Sequence, residues 1–157
     1  MFVNCSNKIS LRPAMESDLE LLFLWVNTSD SLDAKILTSR SIPWNDHVEW
    51  FESCLASTKC MIWIAEKDDF ALGQVRIELH QERDLLIDIY IDISMRTQGI
   101  GSLILEKAEE ESKSRWPGYS FVAKIKHNNI ASLRFFQKQG YKFDSETADY
   151  MVLAKRL

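Results

Sequence analysis

The sequence is poor in the features that mark several protein classes. Acidic residues outnumber basic ones, which gives a net charge of −4 and no basic footprint for a nucleic acid. No apolar run approaches the roughly 20 residues of a membrane-spanning helix. The N-terminal stretch MFVNCSNKIS lacks the basic start and apolar centre of a secretion signal. We therefore expect a partner that is neither a nucleic acid nor a membrane.

Cysteine and histidine are also scarce. Cys5, Cys54 and Cys60 are odd in number and match no metal-binding or redox spacing, and the three histidines are scattered. These observations predict no metal site and a reducing compartment, the cytoplasm. The 157 residues, of which 46% are hydrophobic, suffice for a single domain over residues 1–157 with its own core.

Hydrophobic periodicity predicts a mixed α/β chain. Alternating or β-branched runs indicate strands, and apolar residues three and four apart indicate helices. Ser17 with Glu20, and Asp46 with Glu49, have the spacing of capping boxes at the first two helices, and Gly140 closes the last helix. The order is a strand, two helices, several central strands, a helix, a strand, a helix and a terminal hairpin. That order is typical of an α/β domain with a mixed sheet.

The segment RDLLIDIYIDI places two kinds of side chain on the two faces of one strand. One face carries isoleucines: Ile87, Ile89, Ile91 and Ile93. The other face carries polar residues: Asp88, Tyr90 and Asp92. The long helix that follows is predicted to turn four apolar residues inward: Ile100, Leu103, Ile104 and Ala108.

Two of the five glycines lie close together where this strand ends and the long helix begins. Gly99 and Gly101 leave bare backbone at the helix start, so that free N–H groups can meet a ligand. The helix N-terminus adds partial positive charge, which stabilises a nearby anion by about 0.3–2 kcal/mol. With Arg96, the pattern Arg-x-x-Gly-x-Gly predicts a phosphate site, although it matches neither the dinucleotide fingerprint nor the P-loop.

This segment resembles the acyl-CoA pyrophosphate loop of the GNAT superfamily of N-acyltransferases. A second segment, HNNIASLRFFQKQGY, is similar to the superfamily's later block, in which an Asn precedes a helix that ends in Gly and an aromatic residue. The matching residues are Asn129, Ser132, Phe136, Gly140 and Tyr141. The opening LRPAMESDLELLFLWVN is similar to the start of many members, so the resemblance covers nearly the whole chain.

The resemblance implies the GNAT fold, a single mixed and mostly antiparallel sheet with a splayed centre and about four helices. It also implies acetyl-CoA as cosubstrate. In relatives, the strand before the loop splays from its neighbour and the pantetheine arm enters the gap. The implied cofactor contacts are Ile91, Asp92, Ile93, Arg96, Thr97, Gln98, Gly99, Ile100, Gly101, Ser102, Asn129, Ser132 and Phe136. Asn129 equally fits the N-cap of its helix, and the two roles are compatible.

One residue departs from the superfamily pattern. Phe136 stands where many members have a Tyr that is thought to reprotonate the departing thiolate, and a phenyl ring has no proton to give. Tyr90 and Tyr141 are the phenols nearby in the sequence, and Tyr141 falls at a position that a core aromatic normally fills. A thiol has a pKa of roughly 8.5, so thiolates leave readily even without an acid. The departure therefore affects the details of the mechanism more than the activity.

The implied reaction is direct attack of a neutral amine on the acetyl thioester. At pH 7 an α-amino group is neutral in roughly one molecule in ten, whereas a lysine amine is neutral in fewer than about one in a thousand. A nearby carboxylate can take the proton from the amine, directly or through water. The candidate catalytic residues are Asp88, Glu78 and Tyr90, for which the alternative is a solvated strand face.

The segments IPWNDHVEWFESCL and LGQVRIE resemble a subgroup that acetylates amino groups on nucleotide-linked sugars, as in pseudaminic-acid and related surface-glycan pathways. A His-x-x-Trp-Phe helix and a Gly-Gln-Val-Arg strand recur in that subgroup. The implied substrate residues are Trp44, which can stack on a sugar or base, His47, and Arg76, which can hold a diphosphate. His47 also fits a helix-terminal hydrogen bond, and at least one of Trp50 and Phe51 is expected in the core.

Three functions remain open at this point. The first is a sugar-nucleotide N-acetyltransferase, and a transferase for other small-molecule amines, such as polyamines or antibiotics, remains a further alternative. The second is a protein N-terminal acetyltransferase of the ribosomal-protein type, which shares the Asn-Ile-Ala-Ser helix start. The third is an acyl-CoA-binding sensor without turnover. A pocket with an Arg and aromatic walls favours a sugar, and an extended cleft favours a peptide. We expect a monomer or a homodimer.

Overall fold

The computed structural model describes residues 8–28, 40–96 and 99–156, and these contain seven strands and four α-helices. Their bounds in chain order are β1 Ser10–Pro13, α1 Leu19–Val26, α2 Trp44–Ala56, β2 Cys60–Lys67, β3 Phe70–Leu79, β4 Asp84–Ile91, α3 Ile100–Arg115, β5 Ser120–Lys126, α4 Ile130–Lys138, β6 Lys142–Glu146 and β7 Tyr150–Lys155. Short 3-10 turns precede α1 and follow β4, at Glu16–Asp18 and Ile93–Met95. The predicted loop between α1 and α2 lies largely outside the described residues.

All seven strands form one sheet in the order β1-β2-β3-β4-β5-β7-β6. Each neighbouring pair is antiparallel except β4 and β5, which run parallel. Asp68 and Asp69 join β2 to β3 with positive φ angles of 52° and 65°, as a type I′ hairpin turn requires. The predicted mixed and mostly antiparallel sheet is confirmed.

The centre of the sheet opens between β4 and β5. Strand β4 pairs with β3 from Leu85 to Ile91, but it pairs with β5 only from Asp84 to Leu86. Beyond Leu86, β4 has no ladder partner on its β5 side within the described residues. This edge therefore keeps backbone groups that no strand satisfies, and the predicted splayed centre is confirmed.

Two apolar cores cover the two faces of the sheet. One face packs against α3 and α4 and buries four residues of β3 and β4: Val75, Ile77, Leu85 and Ile87. The other face packs against α1 and α2, chiefly beside β2, and its core includes Trp25, Phe51, Ile62 and Ile64. Because α1 and α2 cover mainly β2, the alternate residues of β3 and β4 on this second face stay partly exposed.

The starts of α1 and α2 differ from the prediction. Asp18, and not Ser17, fixes the start of α1, since its carboxylate accepts the Met15 N–H at 2.7 Å and pairs with Arg12 at 2.8 Å. The Arg12 guanidinium holds the pKa of Asp18 below its usual range. Helix α2 begins directly after Pro43, so the predicted capping residues of that helix lie inside it.

The buried face of α3 is also shifted from the prediction. Leu103 is 48% exposed, whereas Leu105 is fully buried against the sheet. The residues that face the core are Ile100, Ile104, Leu105, Ala108, Glu109 and Ser112. The buried stripe of α3 follows the four-residue spacing that starts at Ile100, and Leu103 lies just outside this stripe.

Cys54 and Cys60 form a disulfide that their spacing in the sequence did not predict. Cys54 lies in the last turn of α2, Cys60 begins β2, and their Cα atoms are 5.6 Å apart. Both are buried in the core that contains Phe51 and Ile62. The pairing of the two cysteines depends on how α2 packs against β2, and no short cysteine motif encodes that packing.

Candidate active site

The open edge of β4 leads into the N-terminus of α3. Gly99 precedes the helix with a φ of +74°, in the left-handed region that favours glycine. A Cβ on Gly101 would lie 3.1 Å from the ring of Phe135 in α4, so the backbone here is tightly packed. The first N–H groups of a helix have no partner within the helix. This end of α3 therefore suits an anion such as a pyrophosphate.

Asp92 fastens the end of β4 to α1. Its carboxylate accepts the N–H of Ser94 at 3.0 Å, the hydroxyl of Ser94 at 2.7 Å and the indole N–H of Trp25 at 3.2 Å. These hydrogen bonds, those from Ser94 above all, hold the pKa of Asp92 below its usual range. The Asp92 N–H donates to the carbonyl of Leu72 at 2.8 Å. The carboxylate and N–H of Asp92 thus stabilise the fold, and the cofactor contact predicted for the backbone of this segment stays a prediction.

The side chain of Arg96 lies back against β4. Its Nε–H donates to the carbonyl oxygen of Ile91 at 2.9 Å, and its guanidinium carbon is 5.3 Å from the centre of the Tyr90 ring. A contact between Arg96 and a pyrophosphate stays a prediction. Thr97 and Gln98 lie outside the described residues.

The later sequence block joins α3 to α4. The side-chain oxygen of Asn129 accepts the Ser132 N–H at 3.2 Å, which is the N-cap role that the sequence offered as an alternative. The Gln139 amide donates to the hydroxyl oxygen of Ser102 at 2.7 Å. The Gln139–Ser102 bond holds the first turn of α3 beside the end of α4, and the cofactor contacts predicted for Asn129, Ser132 and Ser102 stay predictions.

Phe136 and Tyr141 form an aromatic pair in the core, with ring centres 5.0 Å apart. Tyr141 is 2% exposed, and its hydroxyl has no hydrogen-bond partner among the described residues. Burial, and next the charge of Glu109, raise the pKa of Tyr141. The structure thus places Tyr141 as the core aromatic that the sequence predicted.

On the face of the sheet that packs against α1 and α2, strands β3 and β4 place polar side chains in adjacent rows. We call these five residues the polar floor: Gln74, Arg76 and Glu78 on β3, and Asp88 and Tyr90 on β4. Gln74 lies opposite Tyr90, and Arg76 lies opposite Asp88. Asp88 is the first residue of this face beyond Leu86, which belongs to the last rung between β4 and β5. Glu78 lies opposite Leu86 itself, one rung further from the open edge.

Side chains on the polar floor do not pair straight across the strands. The Gln74 amide donates diagonally to Asp88 Oδ2 at 3.2 Å. The guanidinium of Arg76 turns to α2, where its central carbon lies 5.3 Å from the centre of the Trp50 ring. Its Nε is 3.9 Å from Glu78 Oε2. Arg76 and Asp88, although opposite each other, form no ion pair among the described residues. The sequence missed the Gln74 and Trp50 contacts, because periodicity assigns faces but not cross-strand partners.

Aromatic side chains of α1 and α2 stand beside the polar floor. Phe23 meets Trp44 edge to face, with ring centres 5.0 Å apart, and Trp44 is 41% exposed. Trp50 is half-buried over Arg76, whereas its neighbour Phe51 is 2% exposed. One residue of the Trp50–Phe51 pair is therefore in the core, as predicted. We call Phe23, Trp44 and Trp50 the aromatic wall.

His47 lies beneath the aromatic wall and is 2% exposed. Its Nε2 is 3.0 Å from the carbonyl oxygen of Leu19, and its ring stacks on Phe51 with centres 6.2 Å apart. A side chain this deeply buried has no surface for an acceptor. The structure thus moves His47 from the predicted substrate residues to the contact between α1 and α2, which matches the alternative role of a hydrogen bonder at a helix end.

None of the helices in residues 8–28, 40–96 and 99–156 is long and apolar enough to cross a membrane. Within the same residues, no group of three or more His, Cys, Asp or Glu side chains is placed to hold a metal ion.

Comparison with known proteins identifies the family. Residues 22–141 match the family model described as the acetyltransferase (GNAT) family, and the chain belongs to this family. A protein of Bacillus subtilis (strain 168), "Uncharacterized protein YxbD", is 32% identical over 80 residues. The match covers 48% of this chain and 47% of that protein, so it spans about half the length of this curated relative.

Solved structures share the fold over nearly the whole chain. A domain from Methanocaldococcus jannaschii has a TM-score of 0.84 at 20% identity and covers 96% of this chain and 99% of its own. Ribosomal-protein-alanine N-acetyltransferase from Brucella melitensis has a TM-score of 0.78 at 20% identity, with 94% and 99% covered. Spermidine N-acetyltransferase from Vibrio cholerae, solved with CoA and spermine, has a TM-score of 0.81 at 11% identity, with 95% and 94% covered. The fold is therefore the GNAT fold, and it accommodates different acceptors.

Proposed function

We propose that this protein is an acetyl-CoA-dependent N-acetyltransferase whose acceptor is the amino group of a nucleotide-linked sugar. Membership of the GNAT family supports the acetyl transfer. The observation that carries the acceptor is the position of Arg76 on the polar floor, directly beside the aromatic wall. A cation in contact with Trp50, on the same helix as the 41% exposed Trp44, matches the diphosphate and the rings of such a substrate.

The open edge of β4 and the start of α3 fit acetyl-CoA. Beyond Leu86, no described strand pairs with this edge of β4, so its backbone groups other than the Ile91 carbonyl, which accepts from Arg96, can pair with the amides of a pantetheine arm. Gly99 has open space around its Cβ position and Gly101 lets α3 pack closely on Phe135, and the helix N-terminus between them suits a pyrophosphate. Bound there, acetyl-CoA supplies the acetyl group as a thioester. The residues proposed to hold it are those of the open β4 edge, Arg96 and the first turn of α3.

Asp88 is the proposed proton acceptor. An ammonium group must lose a proton before it can attack, and a reachable carboxylate can take that proton directly or through water. Asp88 is exposed and lies beside the open edge, whereas Glu78 lies one rung further away and close to Arg76. The Gln74 amide orients the Asp88 carboxylate. Tyr90 is the next residue of the floor toward the open edge, and its phenol is the second candidate for proton transfer.

Phe136 has no proton to give to the departing thiolate. Its ring is buried between Phe135 and Tyr141, with ring centres 5.2 Å and 5.0 Å away. A thiol pKa of roughly 8.5 makes the thiolate a stable leaving group near neutral pH, so water suffices as the proton source.

A peptide with a free N-terminus is the second candidate acceptor. Helix α4 starts with Asn-Ile-Ala-Ser, and the Brucella melitensis enzyme named for ribosomal-protein alanine shares the fold over 94% of this chain. An α-amino group is neutral in roughly one molecule in ten at pH 7, so it needs no stronger base than an amino sugar does.

Release of CoA thiol from acetyl-CoA, measured with three acceptor sets, tests the proposal. The sets are 4-amino-sugar nucleotides, short peptides with free N-termini, and polyamines. We expect turnover with the sugars, and a KM for them that rises about tenfold or more in Arg76→Gln as charged hydrogen bonds are lost. Turnover only with peptides or only with polyamines would contradict the acceptor assignment. Tight acetyl-CoA binding with no turnover on any amine would favour a sensor instead of an enzyme.

A further inference from the structure

We propose that Trp50 is a positioning residue for proton transfer, because its ring holds the Arg76 guanidinium away from the Asp88 carboxylate. The proposal rests on the function proposed above, in which Asp88 takes the proton of the amine. Trp50 acts through Arg76 and need not touch the reacting atoms.

The register of the sheet makes an Arg76–Asp88 ion pair the expected arrangement. The two residues are directly opposite each other on antiparallel strands and share one face. The Cβ atoms of such a pair lie about 4.5–5.5 Å apart, and opposite charges at these positions attract. The structure instead places the Arg76 guanidinium 5.3 Å from the Trp50 ring centre, and Asp88 accepts a hydrogen bond from Gln74 at 3.2 Å.

The helix α2 supplies a firm support for this contact. A cation within about 6 Å of an aromatic ring centre is attracted by the negative face of the ring. The Trp50 ring packs against His47 and Phe51, with centres 5.7 Å and 6.5 Å away, and both of these residues are buried. Glu78, on the same strand as Arg76, adds an opposite charge 3.9 Å from the Arg76 Nε.

Keeping the two charges apart separates two tasks of the polar floor. A carboxylate paired with a cation accepts a proton less readily, because the opposite charge stabilises its ionised form. The neutral amide of Gln74 orients Asp88 without adding positive charge. Arg76 in turn keeps donors for an anionic group of the acceptor, which an ion pair with Asp88 would occupy.

A double-mutant cycle on kcat tests this inference. Trp50→Leu removes the aromatic face but keeps an apolar side chain, and Trp50→Phe is the matched control that keeps a ring. We expect kcat to fall about tenfold in Trp50→Leu and to recover in Trp50→Phe, with little further change when Trp50→Leu is added to Arg76→Gln. An equal loss of kcat in both backgrounds would overturn the proposal, because Trp50 would then act without the cation.

Urea unfolding of related variants gives a readout that needs no turnover. In Trp50→Leu the freed Arg76 pairs with Asp88, so that adding Asp88→Asn lowers the unfolding midpoint. In the presence of Trp50, Asp88→Asn removes no ion pair and leaves the midpoint where it was. Equal midpoint shifts in the two backgrounds would overturn the inference. Unequal midpoint shifts combined with no turnover on any amine would contradict the proposed function, but they would still support the role of Trp50 in holding Arg76 away from Asp88.

Discussion

The two faces of β3 and β4 are built from alternate residues of the same segments. Toward α3 and α4 they present Val75, Ile77, Leu85 and Ile87, none of which is more than 4% exposed. Toward α1 and α2 they present the polar floor, whose residues stay partly exposed. A strand turns successive side chains to opposite sides, so one short segment both stabilises the fold and forms the site. Stability and activity can therefore be altered separately by substituting neighbouring residues.

The largest expected effect lies on the polar face. In Asp88→Asn the side chain keeps its shape but can no longer take a proton, so we expect kcat to fall by roughly 10²- to 10⁴-fold. Steady-state rates at saturating acceptor measure this loss, and thermal unfolding checks that the fold is retained. Glu78→Gln is the matched control on the same face. A greater loss of kcat in Glu78→Gln than in Asp88→Asn would identify Glu78 as the base.

The next effect belongs to the apolar face. Ile77 is fully buried, so Ile77→Ala should lower the free energy of unfolding by about 2–5 kcal/mol through lost contacts and a cavity. Its strand neighbour Arg76 lies on the polar face, and Arg76→Ala should lower that free energy by only about 1 kcal/mol or less, the size of a cation–π contact at a partly exposed site. Urea unfolding followed by circular dichroism measures both. Similar losses in the two variants would show that the faces do not divide stability from activity in this way.

Acid should lower the free energy of unfolding, because two aspartates that contact α1 or its start have lowered pKa values. The pKa of Asp18 is lowered chiefly by its hydrogen bonds to Arg12, and that of Asp92 by its hydrogen bonds to Ser94. A carboxylate with a lowered pKa in the folded state stabilises the fold above its unfolded pKa of about 3.9, and this stabilisation is lost as the pH falls through the folded pKa. Urea midpoints should therefore drop as the pH is lowered below about 4. Asp18→Asn should flatten that dependence, and an unchanged pH profile would argue against the pair.

The smallest effect is expected in Tyr141→Phe, in the core beneath α3 and α4. The hydroxyl is buried without a hydrogen-bond partner among the described residues, so its removal should change the free energy of unfolding by less than about 1 kcal/mol. We expect kcat to stay unchanged, because the Tyr141 hydroxyl is buried and only 2% of the residue is exposed. A fall in kcat with an intact fold would instead assign the proton of the leaving thiol to Tyr141.

Features that depend on local periodicity were predictable from the sequence. The alternation in β4 put Asp88 and Tyr90 on the face opposite the isoleucines, and the structure agrees. Gly99 was predicted at the start of α3 from its place before the apolar periodicity of that helix, and the structure puts it there with a φ of +74°. The splayed centre followed from the family resemblance, and the strand ladders confirm it.

Features that depend on packing between distant segments were not predictable. The contact of Gln74 with Asp88 requires the register between two strands, which the intervening turn and the buried faces set together. The Trp50 contact with Arg76 requires the position of α2 over β3. The start of α1 was predicted wrongly because it depends on the ion pair of Asp18 with Arg12, which lies on strand β1. His47 was misplaced because its burial depends on α1, which lies far away in the sequence.

Because Cys54 and Cys60 form a disulfide, the stability of this protein depends on whether its surroundings are oxidising or reducing. The two residues are six positions apart, and closing so small a loop restricts the unfolded chain by about 2 kcal/mol. The bond also ties α2, and with it Trp44 and Trp50, to the first residue of β2. Cytoplasmic location stays a proposal, and there the glutathione pool would compete for this bond. Unfolding midpoints with and without dithiothreitol would measure how firmly each environment holds the aromatic wall in place.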